Sequence, residues 1–103
     1  MTTEGEPARR ALAEEYPQWE FWRTGDIMHA WLPDPAGQVK FAETSWTAIG
    51  VMLLGAEFGD WEVFAGVSGL VYARLPKTSP PVVLRDETVP GLRAQVLAYL
   101  NGK

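Results

Sequence analysis

An internal repeat constrains the fold of this chain more than any other feature of its sequence. The segment EEYPQWEFW (14–22) recurs as AEFGDWEVF (56–64), which aligns Trp19 with Trp61 at an offset of 42 residues. After the next turn the offset becomes 43, and AWLP (30–33) aligns with ARLP (73–76). Similar residues keep this register over about forty positions, with a single insertion at a turn, so the sequence predicts an internal duplication.

Each half shows the same local pattern. An alternating strand (WEFWR, then WEVFA) leads through a turn to a return strand that ends at Leu-Pro, and a loop leads to a third strand, QVKFAE or PVVLRD. Ser45 and Thr88 follow the third strands and are predicted helix N-caps. A first helix is predicted over about Pro7 to Tyr16. The predicted order of elements is α-βββ-α-βββ-α.

The two later helices differ in their apolar pattern. TAIGVMLLGA is apolar on every side and is predicted to be buried, whereas VPGLRAQVLAYLNGK carries one stripe of Leu92, Val96, Tyr99 and Leu100. We expect one domain over 1–103, with repeat 1 at about 7–56, repeat 2 at about 46–103, and the middle helix shared. The fold class is α+β, with antiparallel strands, helices mainly on one face and a pseudo-twofold. Two separate sheets and one six-stranded sheet both fit this pattern.

Composition limits the compartment and the class of partner. The 103 residues include no cysteine, which excludes disulfides and thiolate metal sites and favours a reducing cytoplasm. The longest apolar run, 48–56, is too short to span a bilayer, and the polar N-terminus is unlike a signal peptide. The chain is acidic, with a net charge of −4, which argues against nucleic acid as a partner.

The candidate binding residues follow from strand alternation. If Trp19 and Trp61 point toward the helices, an aromatic set lies on the opposite face of the strands. Exposed aromatic patches of this kind usually meet a partner, which predicts a homodimer or another protein partner. A covering by the N-terminal helix or a loop is the alternative. The predicted binding residues are Trp22, His29, Trp31, Phe64, Tyr72 and Arg74, with Lys40 on the same face.

The sequence predicts no catalytic residue, metal site or cofactor. His29 is the only histidine, and the equivalent carboxylates Glu20 and Glu62 are explained by solvation or by pairing with Arg23 or Arg74. We therefore expect a small binding or protein-interaction protein that is not an enzyme and that self-associates. One alternative is a small-molecule binder with a groove between the repeats, and a minor alternative is a small enzyme that uses His29.

Two segments carry a resemblance to a group of proteins. The entry EEYPQWEFWR has a P-x-W-x-x-W strand, and YARLPKTSPPVVLRDETVPGLRAQV has a Ser-Pro-Pro-Val-Val strand before a capped Leu-Arg helix. In these features the chain resembles small, largely uncharacterised actinobacterial proteins of the Streptomyces type. The resemblance implies a cytoplasmic compartment and a fold pattern, and it implies no activity. The middle helix AIGVMLLGA is more apolar than the resemblance predicts.

Overall fold

The computed structural model describes residues 5–34 and 37–102 of the chain. Three helices and six strands follow one another in the predicted order, α-βββ-α-βββ-α, which confirms the α+β fold class. The elements are α1 (Glu6–Glu15), β1 (Glu20–Thr24), β2 (Ile27–Asp34), β3 (Gly37–Glu43), α2 (Trp46–Glu57), β4 (Glu62–Ala65), β5 (Val71–Leu75), β6 (Val82–Asp86) and α3 (Val89–Asn101). Part of the predicted loop between β2 and β3, residues 35 and 36, lies outside the described residues.

The strands form two antiparallel sheets. Sheet A has the order β1-β2-β3 and sheet B the order β4-β5-β6, so two separate sheets are present, not one of six strands. The chain falls into two compact units, Met1–Gly50 and Val51–Lys103, with the boundary inside α2. The prediction of a single domain and that of a pseudo-twofold stay predictions.

The first turn of each sheet accounts for the one-residue insertion in the repeat. In sheet A, Thr24 pairs with Ile27 across a two-residue turn whose first residue, Gly25, has a φ of 59°. In sheet B, the N–H of Gly66 donates to the carbonyl of Leu70 at 2.8 Å across three residues, the last of which is Gly69 with a φ of 85°. Glycine suits both left-handed positions, and two-residue and three-residue hairpin turns are both common.

The first unit buries one face of sheet A. Met28 and Ala30, which alternate along β2, are buried together with Leu12 of α1. On the same face the ring of Phe21 meets Trp46 of α2 edge-on, with centroids 6.3 Å apart. The Ser45 side chain caps α2, because its Oγ accepts the backbone N–H of Ala48 at 3.0 Å, as predicted.

Trp19 also belongs to the covered side of sheet A. Its ring stacks on that of Phe41 at a centroid distance of 5.5 Å. Phe41 lies opposite Ala30, so the stack is on the face that carries the buried residues. This placement confirms the predicted direction of Trp19.

The second unit repeats this arrangement around α3, which packs on β5 and β6. Trp61 is 6% exposed and meets the ring of Tyr99 edge-on at 5.5 Å, so its predicted place in the core is confirmed. Leu92 and Val96 are buried, but Leu100 in the last turn of α3 is 41% exposed. The predicted apolar stripe of α3 is therefore buried in the first turns of the helix, and its last residue is exposed.

α2 is the most apolar helix, and most of its large side chains are buried. Ile49, Leu53 and Leu54 are among the most deeply buried residues of the chain. Met52 is an exception, because about a third of its surface is exposed. Burial at this level is worth about 1.5–3 kcal/mol for each large apolar side chain, so α2 contributes strongly to stability.

Candidate binding surface

One face of sheet A is turned away from the buried side chains and carries three of the predicted binding residues. Because side chains alternate along a strand, His29 and Trp31 of β2 point away from Met28 and Ala30. The strand register puts Trp22 of β1 beside His29. We call this surface the open face of sheet A. Its members are Glu20, Trp22, His29, Trp31, Lys40 and Ala42.

A stacked ring pair lies in the middle of each open face. In sheet A, Trp22 and His29 stack with centroids 5.0 Å apart and an interplanar angle of 10°. At the equivalent positions of sheet B, Phe64 and Tyr72 stack at 5.3 Å and 10°. Trp22 is 40% exposed and Phe64 is 43% exposed. Each sheet therefore presents a flat aromatic pair with one ring open to solvent.

The open face of sheet B holds the other three predicted residues. Arg74 lies opposite Glu62, and its Nη1 donates to the Glu62 carboxylate at 2.9 Å. This contact confirms the pairing predicted for Glu62. The members of this face are Glu62, Phe64, Tyr72, Arg74, Val83 and Arg85.

The corresponding carboxylate of sheet A is in a different situation. The residue opposite Glu20 is Trp31, which has no charge to offer. In the part of the chain that the structure describes, Glu20 makes no ion pair. Of the explanations given for Glu20, pairing with Arg23 does not occur, because residues three apart on a strand point to opposite faces. Solvation fits, since Glu20 is exposed. The Nε of Arg23 donates instead to the carbonyl of Gly25 at 2.8 Å.

Two polar atoms of sheet A are buried without a hydrogen-bond partner. They are Nε2 of His29 and Nε1 of Trp31, and both are shielded from solvent. A buried polar group without a partner costs about 1–3 kcal/mol, and native proteins contain few of them. No atom of this kind occurs on the open face of sheet B within the described ranges. The two open faces therefore differ, because only that of sheet A carries buried polar atoms without a partner in the described residues.

The absence of a side chain at Gly66 leaves room for the ring of Tyr72. A Cβ atom built on Gly66 would lie 2.5 Å from Cε1 of Tyr72, which is closer than real Cβ contacts. The ring of Tyr72 therefore occupies the space that a larger residue would need. Glycine at position 66 allows Tyr72 to lie flat beside Phe64 at the end of β4.

Two further charged contacts of the second unit lie away from the open faces. The guanidinium of Arg93 binds the carboxylate of Glu57 through two bonds of 2.7 and 2.6 Å. The carboxylate of Asp86 accepts the backbone N–H of Thr88 at 3.0 Å, and this bond lowers the pKa of Asp86 below its usual value. Both contacts tie α3 to its surroundings, so we assign them to stability.

The six predicted binding residues form two sets of three, one on each sheet. Trp22, His29 and Trp31 share the open face of sheet A, and the remaining three share that of sheet B. Sequence reasoning missed Ala42, which lies opposite His29. Its position follows from alternation along β3, because Ala42 is two residues beyond Lys40 and therefore lies on the same face.

The chain shows no metal cluster or membrane-spanning helix in its described residues, and no similar protein identifies it. The described residues, 5–34 and 37–102, contain no group of three or more acidic or histidine side chains suited to a metal ion. In the same ranges, every helix is too short or too polar to cross a membrane. No protein-family model, curated protein or solved structure matches the chain. The resemblance to actinobacterial proteins stays a prediction.

Proposed function

We propose that this chain is a small, non-catalytic protein-interaction protein that self-associates through an aromatic sheet face. The observation that carries the proposal is the Trp22 ring, which is 40% exposed and stacks on His29 on the face of sheet A that points away from the buried side chains. We also propose the cytoplasm as its compartment, which the absence of cysteine supports.

The physical properties of this ring favour a binding role. A tryptophan fixed by stacking loses little conformational freedom when a partner covers it, and it offers a large apolar area. Tryptophan is also among the residues that contribute most to binding energy at protein interfaces. Trp31 lies on the same face, two residues beyond His29 along β2. A partner that covers both rings therefore gains more than one that covers a scattered apolar residue.

The position of His29 supports binding over catalysis. A general base must reach the proton that it removes, either directly or through one water molecule. Nε2 of His29 is shielded from solvent, and one ring face is covered by Trp22. These contacts suit an imidazole that supports the orientation of Trp22.

Sedimentation velocity over a concentration series tests the proposal. The wild type is expected to shift from monomer toward dimer as its concentration rises. Trp22→Ala is expected to remain monomeric, because it removes the exposed ring. Leu100→Ala is the matched control: Leu100 is exposed to a similar extent on α3, outside both sheets. A wild type that stays monomeric throughout the series contradicts the proposal.

A second candidate, a small-molecule binding protein, is favoured by one specific observation. The buried nitrogens of His29 and Trp31 lack partners, which requires an explanation, and a ligand that supplies the missing hydrogen bonds would provide one. A planar ligand could stack on Trp22 and bond these atoms after local rearrangement. Tryptophan fluorescence against a panel of aromatic metabolites tests this candidate, and a flat response across the panel counts against it.

A further inference from the structure

We infer that the open face of sheet A docks onto the same face of a second copy, across a twofold axis that runs parallel to the strands above β2. This inference rests on the proposed self-association and adds the face, the symmetry and the residue pairs. It follows from two cross-strand rows of side chains, which are complementary to themselves under this rotation.

The first row is complementary in charge. Glu20, Trp31 and Lys40 lie side by side on β1, β2 and β3, with the negative charge at one edge and the positive charge at the other. A twofold axis along the central strand exchanges the two edges. Glu20 of one copy then faces Lys40 of the other, and the reverse contact forms at the same time. Trp31 and His29 lie on the axis and face the same residues of the second copy, and both are rings that can stack without a clash of charge, unlike two arginines.

The second row is complementary in volume. Trp22, His29 and Ala42 lie side by side one step further along the strands. The same rotation brings the large exposed ring of Trp22 over Ala42 of the facing copy. A large side chain opposite a small one lets two sheets approach to the usual distance of about 10 Å. The two Trp22 side chains therefore pack without meeting each other.

Sheet B lacks this complementarity. Its central residue in the equivalent row is Arg74, so the same rotation would bring two arginines together on the axis. The charge of Arg74 is already compensated by Glu62 within the chain, at 2.9 Å. Opposite Arg74 on the third strand lies Val83, where sheet A has Lys40, so no second ion pair can form. The substitution of Arg74 and Val83 for Trp31 and Lys40 therefore leaves sheet A as the face expected to dimerise.

The size of the face sets the expected strength of the contact. Strands about 4.8 Å apart and a rise of about 3.4 Å per residue give a face of roughly 15 by 20 Å. Two such faces bury roughly 600 Å² in total, which is below the roughly 1,200 Å² at which stable specific interfaces begin and is typical of weak and transient contacts. We expect a dissociation constant of about micromolar or weaker, so the contact has to be measured over a wide range of concentrations.

Charge exchange between two variants tests the inference. Glu20→Lys puts lysine against lysine at both contacts, and Lys40→Glu puts carboxylate against carboxylate. Each variant alone is expected to weaken dimerisation by about 10- to 100-fold relative to wild type. Mixed in equal amounts, the two variants are expected to form a heterodimer at least as readily as wild type dimerises, because both contacts regain opposite charges. The double variant Glu20→Lys/Lys40→Glu is expected to dimerise again.

Glu62→Lys is the matched control, because Glu62 is the residue of sheet B that is equivalent to Glu20 of sheet A. This variant is expected to leave dimerisation unchanged. The recovery on mixing also shows that both single variants are folded. If wild type dimerises but the single variants behave like wild type, the inference is overturned while self-association stands. If both are weakened and mixing restores nothing, the twofold pairing is wrong. A wild type that is monomeric throughout overturns the proposed function and this inference together.

Discussion

Asp86 is predicted to stabilise the start of α3, and its removal gives a quantitative test of the fold. Its carboxylate accepts the backbone N–H of Thr88 at 3.0 Å, the hydroxyl of Thr88 at 3.1 Å and the amide of Gln95 at 3.1 Å. Hydrogen bonds to charged groups contribute about 1.5–3 kcal/mol when well shielded and less near solvent. Thr88 also caps the helix, with its Oγ1 accepting the N–H of Gly91 at 3.0 Å.

The expected cost of Asp86→Ala is about 1–2 kcal/mol of unfolding free energy. This cost is smaller than the sum of three hydrogen bonds for two reasons. Gln95 keeps a bond to the carbonyl of Arg85 at 2.6 Å, and the freed N–H of Thr88 can bond to water. Urea denaturation followed by circular dichroism measures the loss. The repeat supplies the control, since Glu43 occupies the equivalent position and makes no hydrogen bond in the described residues. Glu43→Ala is expected to change stability by no more than about 0.5 kcal/mol.

The effect of Asp86 also depends on pH, and its sign follows from the shifted pKa. The backbone N–H of Thr88 is the main cause that lowers the pKa of Asp86 below the ordinary value of 3.8. A lowered pKa in the folded state gives stability that is fully present above the ordinary value and is lost as pH falls through the folded value. The difference between wild type and Asp86→Ala is therefore expected to be constant near neutral pH and to shrink below about pH 4. Equal losses for Asp86→Ala and Glu43→Ala, or a difference independent of pH, would refute this reasoning.

Two further predictions concern packing. Leu92→Ala is expected to cost about 2–5 kcal/mol, because Leu92 is fully buried, whereas Leu100→Ala on the same helix is expected to cost less than about 1 kcal/mol. Thermal and urea unfolding measure both, and similar costs would contradict the assigned core. Gly66→Ala is expected to displace the ring of Tyr72 and to cost about 1 kcal/mol, because its Cβ would lie 2.5 Å from Cε1 of Tyr72. Proton NMR of the Tyr72 ring checks this, and an unchanged ring shift would show that the close approach has no structural effect.

The repeat allowed the architecture to be predicted, because several independent sequence signals predict the same order of elements in both halves. Alternation, turn glycines and N-cap residues recur at equivalent positions, and the structure places Ser45 and Thr88 at the starts of α2 and α3. The single insertion also has a structural counterpart, since the two hairpin turns differ by one residue. A local signal that occurs twice in register is harder to misread than one that occurs once.

The finer features of the open faces depend on side-chain positions that alternation does not specify. The sequence placed Glu20 and Glu62 in equivalent positions, but only Glu62 has an arginine opposite it. The buried nitrogens of His29 and Trp31 were not foreseen, because shielding of a single atom depends on neighbouring rotamers. Leu100 fits the apolar stripe of α3 and is still exposed, because periodicity gives the direction of a side chain and not what lies beside it.

The indole N–H signals of the five tryptophans provide the most direct test of the central claim, which is that the open face of sheet A meets a second copy. Trp22 and Trp31 lie on that face, whereas Trp19, Trp46 and Trp61 contact other rings on the covered sides of the sheets. Two-dimensional NMR over a dilution series follows all five at once. We predict that the signals of Trp22 and Trp31 move with concentration while the other three stay fixed. Signals that are all independent of concentration, or that move only for Trp19, Trp46 or Trp61, would contradict the account.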